Sequence, residues 1–144
     1  MEYIKSTILD GNQLAEIRAS AMKPSLELLG RFDENRVRTR FLETFVSDET
    51  FKIVSNNEVL GFYVVRVKGD HIFLDHLYIE PKHQNKKIGK SVVDKVKLDA
   101  AQSRLPIRLG ALRGSKSNDF YMKNGFVKTH EDEFDVYYEY SERN

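Results

Sequence analysis

Residues 84–91 read QNKKIGKS, and they hold a glycine, a lysine and a hydroxyl in direct succession at Gly89-Lys90-Ser91. That ending is shared with the P-loop. There, backbone N–H groups cradle phosphates, the lysine reaches them and the hydroxyl binds magnesium. A P-loop also needs a glycine where this chain has Gln84, because the loop wraps phosphate closely with its backbone. No apolar strand ending in a magnesium-binding aspartate follows downstream. A nucleotide hydrolase is therefore set aside, and the general physics of the stretch remains. A loop leads into a helix start, where the first N–H groups lack intrahelical partners and the helix dipole favours anions. Lys82, Lys86, Lys87 and Lys90 crowd that end, although cations prefer the other end of a helix. A bound polyanion would resolve the conflict; a solvated lysine face is the plain alternative.

Other residues able to do chemistry lie close by or far downstream. Asp75, His76 and Glu80 stand on or just after an apolar segment, HIFLDHLYI. Strand alternation there places Asp75 and Leu77 on one face and His76 and Tyr78 on the other. A strand-borne carboxylate or imidazole can serve as a general base, directly or through water, although a lone strand histidine is more often structural. Tyr121, in KSNDFYMKN, offers a phenol, and Asn118 an amide one turn earlier. There is no cysteine, which removes disulfides, thiolate zinc sites and cysteine nucleophiles; no metal site is expected.

The elements that must position these groups follow from local signals. A first strand is expected over 2–7, then a helix capped by Asp10, with Leu14, Ile17 and Ala21 at helical spacing and Pro24 as its end. KPSLELLGRF links it to a second helix starting after Asp33, with Val37, Phe41 and Phe45 on one stripe. TFKIVS and VLGFYVVRV flank Asn56-Asn57 and read as a hairpin. Lys68-Gly69-Asp70 turns the chain into the strand at 71–79. Ile88, Val92 and Val96 recur at steps of four in a helix reaching about 102. PIRLGAL is a strand, and KSNDFYMKN a short helix closed by Gly125 as a left-handed cap. GFVKTH and FDVYYEY form a closing strand pair. The order β-αα-βββ-α-β-α-ββ holds one parallel crossover, from 71–79 to 106–111, in an otherwise antiparallel sheet. The fold class is mixed α/β, with helices on both faces.

Length and composition bound the rest. The 144 residues suit one domain spanning 1–144, and 40% hydrophobic content supports a core. A formal net charge of +1 argues against a general nucleic-acid binder. No apolar run approaches a membrane span, and MEYIKSTILD lacks the apolar centre of a signal peptide. A soluble, cytoplasmic protein without nucleic-acid or membrane partners is the expectation.

LDHLYIEPKHQNKKIGKSVVDKV resembles the acyl-CoA-binding motif of the GNAT N-acetyltransferase superfamily, Q/R-x-x-G-x-G/A. Gln84 and Gly89 match it, and Lys87 stands where the family usually has glycine. Phe120-Tyr121 before Gly125-Phe126 resembles the family's C-terminal motif. The element order is also that of the GNAT fold, so the resemblance covers essentially the whole chain. It implies a CoA pyrophosphate over the N–H groups of Asn85, Lys86, Lys87, Ile88, Gly89 and Lys90. Lys87 serves as well as glycine provided its φ is negative. It implies a pantetheine arm along Leu77, Tyr78 and Ile79, where a strand N–H near Tyr78 or Ile79 polarises the thioester carbonyl. Tyr121 becomes the acid for the leaving thiolate, and Asn118 either a pantetheine contact or a helix-start side chain bonding backbone.

The implied activity is transfer of acetyl from acetyl-CoA, as co-substrate, to a primary amine of a small molecule by direct attack in a ternary complex. Transfer to a protein or peptide amine and a catalytically silent acyl-CoA-binding module are the alternatives. The acceptor is expected near 23–32, the second helix and the last strand pair. These carry Glu27, Arg31, Arg36, Arg38 and Arg40, and the acids Glu131, Asp132, Glu133 and Asp135. Those acids could attract a cationic amine or form a plain solvated turn. Phe32, Phe41, Phe45, Tyr137 and Tyr138 could wall a pocket or belong to the core. FDVYYEY is the kind of strand this fold uses for dimer pairing, which leaves a homodimer open.

Overall fold

The computed structural model describes residues 1–142. Its elements are β1 (Glu2–Lys5), α1 (Gly11–Leu28), α2 (Glu34–Glu43), β2 (Thr50–Ser55), β3 (Glu58–Val67), β4 (Ile72–Ile79), α3 (Ile88–Ser103), β5 (Ile107–Leu112), α4 (Ser117–Lys123), β6 (Val127–Glu131) and β7 (Asp135–Tyr140). The seven strands form one sheet in the order β1-β2-β3-β4-β5-β7-β6. The β4–β5 pair is parallel, and the pairs β1–β2, β2–β3, β5–β7 and β6–β7 are antiparallel. The element order is the expected one, and the mostly antiparallel mixed α/β sheet matches the expected class. No helix among the described residues is long and apolar enough to cross a membrane.

Most local signals act as read. Asn56 and Asn57 turn the β2–β3 hairpin with φ of 51° and 63°, the pair of positive angles that a two-residue primed turn requires. Asp33 caps α2, its carboxylate accepting from Arg36 N–H at 2.9 Å. Three readings need correction. β1 stops at Lys5, and a 3-10 turn over Ile8–Asp10 follows. Asp10 precedes α1 without capping it; its carboxylate turns back to Thr7 N–H at 2.7 Å and closes a capping box around that short turn. Pro24 lies inside α1. A proline removes one N–H and crowds the preceding turn, yet Leu26, beyond it, is buried and holds the last turn in place. The helix stops instead at Gly30, where Gly30 N–H reaches Glu27 C=O and Arg31 N–H reaches Leu26 C=O. That pair of bonds is a Schellman closure around a residue at φ +69°.

The chain folds into two compact units. One comprises Met1–Val64 and His76–Gly89, the other Val65–Asp75 and Lys90–Asn144. In the first, α1 and α2 present Leu14, Ala15, Ile17 and Phe41 to Phe62 and Val64 of β3, with Phe45, Val59 and Tyr78 packed around them. Phe45 lies past the end of α2 but still joins this cluster. In the second unit the buried set includes Val92, Val93, Val96, Ile107, Leu109, Tyr121, Phe126 and Tyr138. Each fully buried side chain of this size stabilises by roughly 1.5–3 kcal/mol relative to exposure.

Candidate active site

β4 delivers its C-terminal end, Leu77, Tyr78 and Ile79, into the first unit with all three side chains half-buried. Pairing of β4 with β5 is limited to Ile72–Ile107 and Phe73–Arg108, although β4 runs on to Ile79 and β5 to Leu112. On its other side β4 lies tight against β3, since a Cβ on Gly61 would collide with the carbonyl oxygen of Tyr78. Glu80 N–H then bonds Leu60 C=O at 2.8 Å and fixes the strand's exit.

The loop leaving that exit is the QNKK segment. A 3-10 turn over Pro81–His83 leads to Gln84, whose amide donates to Ile79 C=O at 3.0 Å. Gln84 thus ties the loop back to the strand end. Asn85 and Lys87 both have positive φ, 66° and 62°. The condition set for Lys87, a negative φ, is therefore not met. The loop needs the left-handed conformation there, which is why glycine suits this position, and lysine adopts it at a cost of about 1–2 kcal/mol. Asn85 tolerates the same region more easily because its short side chain can bond locally. Ile88 is buried and anchors the start of α3. Gln84, Asn85, Lys86 and Lys87 are exposed, and Gly89 is half-buried. Asn85 and Lys87 thus place two left-handed residues, one apart, directly before the start of α3.

The lysines around the loop are partly committed. Lys82 Nζ pairs with Glu58 at 2.9 Å, and the same carboxylate lies 3.1 Å from His83 Nε2. The hydrogen bonds from Lys82, first, and His83 hold the Glu58 carboxyl below its usual range. Lys86 Nζ is 3.4 Å from His83 Nδ1, and Lys90 pairs with Asp94 at 2.8 Å.

The three base candidates separate clearly. Asp75 accepts from Arg66 Nε at 2.9 Å in a half-buried ion pair. His76 packs edge-on to Phe41 at 5.5 Å and against Phe62 at 6.5 Å, with Nδ1 3.5 Å from the Tyr78 hydroxyl. The expected alternation holds, since His76 and Tyr78 meet on one face. Glu80 marks the strand end through its backbone.

Tyr121 and Asn118 sit in the second unit on α4. Asn118 uses its amide for structure: Nδ2 donates to Leu112 C=O at 2.9 Å and Ser115 C=O at 3.0 Å, while Oδ1 accepts from the Tyr138 hydroxyl at 2.8 Å. Of its two readings, the backbone-bonding one describes what it does. Tyr121 is buried, its ring 5.5 Å from Phe126 and 6.4 Å from Tyr138. The FY…GF pattern is itself a second Schellman closure. Gly125 N–H bonds Met122 C=O and Phe126 N–H bonds Tyr121 C=O, with Gly125 at φ +88°. Lys97 Nζ adds a cation at the carbonyl of Asn124, the favourable sign for a helix C-terminus, and lies 4.3 Å over the Tyr140 ring.

The residues expected to recognise the acceptor fare unevenly. Asp132 closes the β6–β7 turn by accepting from Phe134 N–H, Asp135 N–H and the Tyr137 hydroxyl. The hydrogen bond to Asp132 pushes the Tyr137 phenol up to about 12. Glu131 pairs with Arg113 and Lys128. These acids form a locally satisfied turn. Phe41 and Tyr138 are core, and Tyr137 stacks on His130 at 4.4 Å. A residue the sequence does not single out is Arg18, whose guanidinium lies 5.9 Å over the Tyr78 ring. Its place on α1, one step from Ile17 in the apolar stripe, is the available signal.

The sequence profile of the Acetyltransferase (GNAT) domain matches residues 45–128, more than half of the chain. No curated protein matches the sequence. Among solved structures, the chain is similar to the PaiA N-acetyltransferase of Thermoplasma acidophilum in complex with coenzyme A. That match has a TM-score of 0.79 and 22% identity, covering 97% of this chain and 98% of that one. An acetyltransferase of Thermus thermophilus superposes with a TM-score of 0.76 at 15% identity, over 97% of this chain and 96% of the other. A putative streptothricin acetyltransferase of Bacillus anthracis, solved with acetyl coenzyme A, shares 20% identity with a TM-score of 0.58, over 64% of this chain and 61% of its own. With the profile match, the sheet order and both motifs in place, the chain belongs to the GNAT family of acetyltransferases.

Proposed function

We propose that the protein transfers an acetyl group from acetyl-CoA to a primary amine of a small molecule, in a ternary complex. The observation that carries the reading is the loop from Gln84 to Lys87. It is braced on Ile79 C=O, twisted through two positive φ angles, and set at the start of α3. A diphosphate suits this segment: a helix start offers backbone N–H donors, and the lysines supply positive charge. Solved relatives carrying coenzyme A or acetyl coenzyme A support the same assignment.

In the proposed reaction the amine lone pair attacks the thioester carbonyl carbon. The C–S bond breaks, the nitrogen loses one proton, and the thiolate gains one. Strand N–H groups at Tyr78 or Ile79 stabilise the carbonyl oxygen as charge develops. Tyr121 gives the proton to sulfur. Asp75 is already paired with Arg66, so His76, beside the Tyr78 hydroxyl, is the better candidate to accept the amine proton through water. The half-buried polar pair His76–Tyr78, set against Phe41 and Phe62, suits a single amine group and supports a small acceptor over a peptide.

Thermal-shift titration tests the co-substrate. Saturation at about a hundredfold excess over the dissociation constant should stabilise the fold by ~2.7 kcal/mol. No shift with acetyl-CoA would end the reading. Thiol release with an amine panel, read against a peptide panel, then decides the acceptor class.

A further inference from the structure

Two arginines of the first unit use the same hydrogen-bonding scheme, and one of them is incomplete. Arg38, on α2, donates Nη1 to Glu34 C=O at 2.7 Å. Its other edge, Nε and Nη2, grips the carboxylate of Glu16 at 2.6 and 3.0 Å. Arg18, on α1, also donates Nη1 to a backbone carbonyl of α2, that of Val37. Its Nε is buried and has no hydrogen-bond partner among the described residues. A buried guanidinium N–H without an acceptor is costly, and native proteins rarely keep one without a reason. Arg38 shows what this edge takes when it is filled: a carboxylate, in the planar two-point geometry that guanidinium matches best.

The surroundings of Arg18 say whose carboxylate that is. Its guanidinium lies over the ring of Tyr78, on the strand end assigned above to the acyl group. The Tyr78 hydroxyl faces His76, and Phe41 and Phe62 flank the pair. We infer that the acceptor is a primary amine that also carries a carboxylate, and that this carboxylate docks on the Nε–Nη2 edge of Arg18. The inference rests on the acetyltransferase reading and names the substrate class of that same site. Arg18 is half-buried as a residue, and its Nε is covered. Nε joins when the guanidinium shifts toward the ligand and away from the packing that covers it. A purely cationic polyamine would meet an uncompensated positive charge here and is disfavoured.

The test uses the full chain saturated with acetyl-CoA. Glycine, β-alanine, glutamate and lysine are each compared with their carboxamide and their decarboxylated amine. Thiol release and the second thermal shift on the CoA-bound protein are both read. At least one free carboxylate should exceed its amide and its amine in kcat/KM by about 100-fold, as loss of a charged hydrogen-bonded partner predicts. Arg18→Met should collapse that acid-to-amide ratio toward one, chiefly through KM, and Arg18→Lys should restore part of it. Equal use of acids and amides, preference for the decarboxylated amines, or an unchanged ratio in Arg18→Met would overturn the inference. So would a CoA-bound protein that no free carboxylate stabilises or consumes. Should Arg18→Met fail to fold, by circular dichroism, the acid–amide comparison on the unaltered protein still decides. Failure to bind acetyl-CoA at all would instead sink the acetyltransferase reading and is distinguished at the first titration.

Discussion

At Gly125 the chain needs a positive φ and has glycine; at Lys87 it needs one and has lysine. Both positions lie in the motifs that mark the family. The α4 turn is fully consistent: Asn118 fixes its start, Gly125 and Phe126 close its end, and Lys97 adds a cation there. Local sequence and tertiary demand agree, as in a minimally frustrated segment. The 84–87 loop keeps strain, held between the Gln84–Ile79 brace and buried Ile88. Strain persists where the surroundings over-determine it, and it clusters at functional sites. The contrast teaches that one motif is chiefly architectural, its glycine meeting the positive φ without strain, while the other holds a lysine in the same conformation and gains a charge that glycine lacks.

The largest expected effect tests the architectural side at its functional tip. Tyr121→Phe should lower kcat by about 100-fold or more, the usual size of general acid catalysis, with little change in KM for acetyl-CoA. Turnover unchanged across pH would remove the acid role. Next, Asn118→Ala takes away four side-chain hydrogen bonds, to the Leu112 and Ser115 carbonyls, the Ser115 hydroxyl and the Tyr138 hydroxyl; the carbonyls keep Ser115 N–H and Asn118 N–H as donors, and the Tyr138 hydroxyl loses its acceptor. It should cost about 2–3 kcal/mol in urea unfolding; a loss under half of that would show that α4 is held by packing alone.

A pair of reciprocal substitutions bears directly on the comparison. Gly125→Ala should destabilise by about 1–2 kcal/mol, the left-handed penalty of a Cβ. Lys87→Gly should stabilise by about 0.5–1 kcal/mol, relief of strain less the entropy of a new glycine. Its effect on acetyl-CoA affinity, by calorimetry, separates backbone from side chain: unchanged binding assigns the cradle to the backbone, and a tenfold loss assigns a phosphate contact to the lysine. If Lys87→Gly destabilises, the lysine's own contacts outweigh its strain and the contrast fails.

The smallest effect is electrostatic and lies away from both turns. The Tyr137 phenol, raised to about 12 by its bond to Asp132, contributes stability that is complete below its ordinary value of 10.0 and fades as pH climbs toward 12. Absorbance titration should find one tyrosine ionising near that upper value, and Asp132→Asn should return it toward the ordinary one.

The order of elements, the Asn56-Asn57 turn, the Asp33 cap and the Gly125 closure are legible because each depends on a few neighbouring residues. Pro24 misleads because only the tertiary burial of Leu26 carries α1 past a proline. Asp10 misleads because Thr7 competes for its carboxylate. Of the site, the sequence marks the loop and the tyrosine through residue types at fixed spacing. It does not carry the sign of φ at Lys87, which the strand exit and helix start impose together. Nor does it show that the Asn118 amide is taken up by Leu112 and Tyr138, or that Arg38 meets the Glu16 carboxylate while Arg18 Nε meets no acceptor among the described residues. Those relations join distant segments. By itself the sequence determined the fold class and the family, since periodicity, turn chemistry and motif spacing are local. Only the tertiary structure decided which charges are already paired, because pairing is settled by contacts between residues far apart in the chain.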